Sequence, residues 1–187
     1  ADGDTTISAD TDDQIDFKLG GVDEMKMTSS GIVINDGSND RDLRIESTNH
    51  THFINMNSND DRLFIGKNEG TNIGQGQRIQ LMGDTQSSSG MSMMCAANDS
   101  NGPSLEFLKS RNTSIGSRTV VQDDDLVGRM LGRADDGTDM NSAVAEIRFS
   151  IDGSPGSNDT PGRITFYTTP DSSASLSERL RLTSGGD

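Results

Sequence analysis

A chain of 187 residues that is 29% hydrophobic and 4% aromatic, with 21 Gly, no Trp and one Tyr, carries too little apolar matter to close a core alone. Its formal net charge of −14 argues against a nucleic-acid partner and against an anionic membrane surface, since both call for a basic face. A single cysteine, Cys95, rules out an intrachain disulfide, and no apolar run approaches the roughly 20 residues of a spanning helix, so no membrane insertion is expected.

The first six residues lack the charged and apolar regions of a signal peptide. From there the hydrophobic period is two. Ile15, Phe17 and Leu19 alternate with polar residues, Met25 and Met27 flank Lys26, and Leu43 and Ile45 flank Arg44. Ile79 with Leu81 and Leu105 with Phe107 follow, then Ala145, Ile147, Phe149 and Ile151, then Ile164 with Phe166 and Leu180 with Leu182. Each run is a strand-length segment with one apolar face, and Gly20-Gly21, Asp36-Gly37, Asp136-Gly137 and Asp152-Gly153 supply turns. Apolar residues spaced three and four apart are missing, so the fold class is all-β with little or no helix. Ile147, Phe149, Ile164, Phe166, Leu180 and Leu182 are expected to be buried. Cys95 follows Met91 and Met93 at alternate positions and reads as a small buried hydrophobe.

One unit recurs. Met25-Lys26-Met27-Thr28-Ser29-Ser30-Gly31 returns as Leu180-Arg181-Leu182-Thr183-Ser184-Gly185-Gly186, with an echo at Leu43-Arg44-Ile45. Repeats with small inward faces suit stacked or fibrous β architecture, in which each unit buries its face against neighbours. Strands this regular with so little apolar content imply three chains sharing one core, a homotrimer. A polar stretch at residues 83–90 divides a β-rich stalk with short repeats, 1–86, from a β-sandwich-like knob, 87–187.

His50 and His52 in Asn49-His50-Thr51-His52 project from one strand face together with Ile54 and Met56. On a three-fold axis, three copies bring six imidazoles together, an octahedral donor set for iron(II) or another transition metal. Such a metal is structural, because closed coordination leaves no position for substrate. The plainer alternative is a pair of histidines in a polar surface loop. Acidic clusters at residues 10–13, 36–42, 57–61, 123–125 and 135–139 contain oxygen donors of the kind calcium takes. None has EF-hand spacing or the nonapeptide repeat of a calcium β-roll, and turn-forming surface residues explain them. No nucleophile elbow, phosphate loop or catalytic metal set is present, and a sugar-cleaving groove would need aromatic platforms that this chain lacks. The chain is therefore expected not to be an enzyme.

The second half carries a recognisable succession. Pro103-Ser104-Leu105-Glu106-Phe107-Leu108-Lys109-Ser110-Arg111 precedes Val120-Val121-Gln122-Asp123-Asp124-Asp125, then Gly132-Arg133-Ala134-Asp135-Asp136-Gly137 and Ala143-Val144-Ala145-Glu146-Ile147. Ile151-Asp152-Gly153-Ser154-Pro155-Gly156, Pro161-Gly162-Arg163-Ile164-Thr165-Phe166-Tyr167 and Glu178-Arg179-Leu180-Arg181-Leu182 complete it. In this order the motifs resemble the distal domain of tailed-bacteriophage tail-fibre and appendage proteins, of the kind that precedes a self-cleaving C-terminal chaperone. Residues 11–21 resemble the stalk repeats of the same proteins.

The resemblance implies a structural virion protein, extracellular once the phage is released by lysis, that forms a trimeric fibre and mediates host attachment. Its partners would be itself, other tail or appendage proteins, and a host-surface receptor, either polysaccharide or an outer-membrane component. Some such fibres hold axial iron with a His-x-His pair per chain, which His50 and His52 match. The loops 135–140 and 154–160 are the candidate receptor contacts. Autocleavage is one expectation for the absent chaperone; a fragment, or a protein without one, are the others. The alternative functions are a polysaccharide depolymerase of tailspike type and a calcium-stabilised secreted bacterial adhesin.

Overall fold

A computed structural model describes residues 6–8, 14–19, 22–34, 43–48, 50–58, 61–67, 70 and 76–187. The expected turns at Gly20-Gly21 and Asp36-Gly37 and the acidic clusters at 10–13 and 36–42 lie outside these residues, as do Asn59 and Asp60 of the cluster at 57–61. The described residues contain no helix, which bears out the all-β class. They form two compact units, one ending at Ser92 and one spanning Met93–Asp187.

The first unit holds two four-stranded sheets. One is the meander β1 (Thr6–Ser8), β2 (Gln14–Leu19), β3 (Val22–Thr28) and β4 (Gly31–Ile34). The other joins β5 (Leu43–Ser47), β6 (His50–Asn57) and β7 (Arg62–Ile65) antiparallel, with β8 (Ile79–Leu81) added parallel to β7. In the second unit β9 (Leu126–Ala134), β10 (Ser142–Ile151), β11 (Gly162–Thr168) and β12 (Ser177–Leu182) form an antiparallel meander. Gly137 and Gly153 take positive φ (88° and 125°) in the connections after β9 and β10, where the Asp-Gly pairs predicted turns.

Cross-strand register sorts each sheet into two unlike faces. In the first, Ile7, Phe17, Met25 and Ile34 form one row, and Ile15, Met27 and Ile32 another. In the second, Leu43, Met56, Leu63 and Ile79 align, as do Ile45, Ile54, Ile65 and Leu81. In the third, Met130, Ile147, Phe166 and Leu180 make one row, and Phe149, Ile164 and Leu182 the next. Alternation places the two rows of each sheet on the same face.

Those apolar faces are open in the single chain. Ile32 is 61% exposed, Ile79 67% and Leu180 59%. The most deeply buried side chains, Phe64, Asp16, Asn55, Glu146 and Thr165, lie instead on the opposite faces, and that of the second sheet carries Phe53 and Phe64 beside Asn55. The six residues expected to be buried in the third sheet do share a face; in the single chain Phe166, Leu180 and Leu182 are exposed and Ile147, Phe149 and Ile164 half-buried. Alternation assigns residues to a face; it does not supply a second layer to cover it.

One part of the third sheet's apolar face is covered. Residues 91–110 contain no strand, contrary to the expectation at Leu105 and Phe107, yet Phe107 docks on the sheet and stacks on Phe149 with ring centroids 6.1 Å apart. It occupies the space where Gly128 has no side chain: a Cβ at Gly128 would stand 2.3 Å from the Phe107 ring. Gly128→Val is therefore expected to expel Phe107 and destabilise this unit by about 1–3 kcal/mol. A melt of the variant, with hydrogen exchange at residues 105–109, checks this, and unchanged behaviour would mean Phe107 is not docked.

Candidate functional site

His52 is half-buried on β6, and the side chain of His50 lies outside the described residues. The Arg44 guanidinium donates to His52 Nε2 at 3.5 Å, and Thr51 Oγ1 lies 3.1 Å from Nδ1. This arrangement fits the tautomer with the proton on Nδ1. Arg44 is itself paired with Glu46 at 2.6 Å. A cation on Nε2 opposes a metal there, so a metal would require Arg44 to turn away. Among the described residues of one chain, no three His, Cys, Asp or Glu side chains come together as a metal site.

In the single chain Cys95 is exposed, not buried as its alternation with Met91 and Met93 suggests. Its neighbours on both sides are exposed as well.

The acidic loops turn their carboxylates onto their own backbone. Asp135 accepts from the Gly137 N–H, and Asp136 accepts from the N–H groups of Thr138 and Asp139 and from the Ser142 hydroxyl. Asp139 accepts from the Asn141 N–H. These are Asx turns that shape the 135–140 loop, and they leave its oxygens engaged. In the 154–160 loop Gly156 and Asp159 exchange backbone hydrogen bonds around Asn158, whose φ is 58°. That loop springs from a cluster in which Arg163 donates to the Ile151 carbonyl, Asp152 and Asp124, and Asp152 accepts from the Ser184 N–H. Beside it, a cleft of about 340 Å³ opens between Lys109, Val121, Phe149, Ile151, Thr160 and Arg163.

The polar face of the third sheet holds a network that sequence reasoning missed. Arg129 and Arg148 are directly opposed across β9 and β10. The Glu146 carboxylate serves both, at 3.4 Å from Arg129 and 2.8 Å from Arg148, and its side chain is fully buried. The Arg148 guanidinium lies 4.3 Å from the centre of the Tyr167 ring, and the Tyr167 hydroxyl donates to Glu178, which also binds Arg181. The signal was available: Glu146 is the one acid in an otherwise largely apolar strand and sits two residues from an arginine.

Burial pushes the Glu146 carboxyl up, but the hydrogen bond from Arg148 and the charges of Arg148 and Arg129 outweigh it and hold the group below the ordinary glutamate range. Asp125 is held down by its bidentate bond with Arg111, Asp152 by the Ser184 N–H and Arg163, and Glu178 by Arg181. Each of these folded-state values lies below the unfolded one. The unfolded chain therefore binds more protons in acid, and the stabilisation is fully present only above the unfolded carboxylate range of about 3.9–4.3. The urea midpoint should be level between about pH 5 and 7 and fall below about pH 4. A midpoint that rises on acidification would contradict this.

No family model matches the chain, and no curated protein matches it. Among solved structures, the C-terminal domain of the L-shaped tail fibre of bacteriophage T5 is similar, with a TM-score of 0.51 and 13% identity over 89% of this chain and 71% of that one. At that identity the likeness is one of fold.

Proposed function

We propose that this chain is a structural subunit of a homotrimeric bacteriophage tail fibre that attaches the virion to its host. The observation that carries the proposal is the apolar face left open on every sheet, in a fold similar to a tail-fibre domain. Three copies that turn these faces toward a common axis would close a core that one chain cannot, and would direct the polar faces outward. In this reading residues 1–86 form the stalk and 87–187 the knob, whose loops 135–140 and 154–160 meet a host polysaccharide or outer-membrane component. Other tail or appendage proteins hold the opposite end. The subunit is a virion component without catalytic activity.

The experiment is binding of fluorescently labelled protein to host cells, with competition against phage adsorption. Saturable binding that blocks adsorption is expected. Binding with release of reducing sugar from capsule would favour a depolymerase, and loss of stability on chelation a calcium-dependent adhesin.

The axial metal belongs to the same proposal. His50 and His52 from three chains would supply six imidazoles once Arg44 leaves Nε2. Elemental analysis is expected to find one transition metal per three chains, lost in His52→Ala; metal-free wild type ends the idea.

A further inference from the structure

The most continuous apolar run in this polar chain is also its least covered. Residues 91–97 read Met-Ser-Met-Met-Cys-Ala-Ala, and all seven are exposed, Met94 at 88%. Across residues 90–110 no backbone group bonds to the backbone of any described residue. The chain on either side is well tied down. Before the segment, Thr85 and Ser88 close a compact turn through a hydroxyl pair at 2.8 Å. After it, Phe107 docks at Gly128, and Arg111 makes a bidentate bond with Asp125 at 2.7 Å. A segment held at both ends, with exposed apolar side chains and no backbone partner among the described residues, has what a strand needs except a neighbour: each free N–H and C=O wants a partner, and so does the apolar surface.

The side-chain pattern narrows what completes it. In extended conformation Met91, Met93, Cys95 and Ala97 point to one side and Ser92, Met94 and Ala96 to the other. Apart from Ser92 both sides are apolar, which suits a strand covered on two faces better than the edge of a solvated sheet. The same chain offers what such a strand needs. Its third sheet leaves Met130, Phe166, Leu180 and Leu182 exposed, and its first two sheets leave further apolar faces uncovered.

We infer that residues 91–97 form an intermolecular strand, its backbone paired with a neighbouring copy of this chain and its methionines set in the core the copies share. This rests on the trimer reading and assigns it a specific contact: one that binds the copies by main-chain hydrogen bonds as well as by apolar burial. A second copy is the occupant because one association satisfies both deficits, the unpaired apolar segment and the uncovered apolar faces, and does so equally for every chain.

Hydrogen exchange on the full-length protein, after its mass has been measured by light scattering, tests the inference. Amides 91–97 are expected to exchange about a thousandfold slower than in the unfolded chain. Incorporation of photo-methionine followed by irradiation should yield covalent dimers and trimers on a denaturing gel, with the 91–97 peptide in the cross-link. A trimer whose 91–97 amides exchange at the unfolded rate, or whose Met91, Met93 and Met94 cross-link only within their own chain, overturns the inference and leaves the trimer standing. A monomeric mass removes both.

Discussion

Replacing Phe166 by aspartate is expected to weaken the single chain modestly and to abolish the assembly. Phe166 lies on the inner strand β11, in the row Met130, Ile147, Phe166 and Leu180, and is 36% exposed in the isolated chain. Were the monomer the functional form, losing this partly covered ring would cost at most about 1.5–3 kcal/mol and leave a folded single chain. In a trimer closed over this face, three carboxylates would enter an apolar core with no cation beside them. Each would cost several kcal/mol, on the order of 2–7 for an unpaired polar group and more for a charge. Phe166→Asp should therefore run as a monomer or aggregate in sedimentation. A soluble trimer with a wild-type melting temperature would mean the apolar face is not the interface.

The second large effect is expected at Glu146. Arg129 and Arg148 face each other directly across two strands, an arrangement that repels unless a carboxylate lies between. Glu146 is that carboxylate for both. Glu146→Ala removes it from a fully buried position and leaves two guanidinium groups with their shared acceptor gone. Breaking a buried pair costs about 3–5 kcal/mol. Both arginines are about a third exposed and would turn partly to water, so a loss of about 2–3 kcal/mol is expected. Removing the carboxylate of Glu178, at the sheet's open edge strand, should cost much less. Denaturant melts of the two variants check the contrast, and equal small effects would show that the buried network is not a stabilising one.

How much of this was legible in the sequence depends on the question asked of it. The period-two runs identified strands in all three sheets but not β1, β4, β7 or β9, and the partition of side chains into faces followed from alternation alone: Ile15 with Phe17, Leu43 with Ile45, Ile164 with Phe166. What covers those faces was not legible, because cover is a property of a second layer and the pattern describes only one. The same limit explains Cys95 and Leu105. Their alternation is that of a strand, yet in one chain no described strand pairs with them. Glu146 shows the converse failure. Alternation puts it on the polar face but does not show that Arg148 of its own strand, Arg129 across the sheet and the Tyr167 ring surround it. For His52, sequence spacing suggested a donor pair, and the approach of Arg44 across β5 and β6 could be seen only once the register of those strands was known.

The trimer proposal rests on three open apolar faces and an apolar segment with no backbone partner among the described residues. The mass of the assembled protein in solution tests this most directly. Light scattering on the purified chain is predicted to give about three times the 20.0 kDa of one copy, unchanged on dilution. A stable, folded species at the mass of a single chain would contradict it.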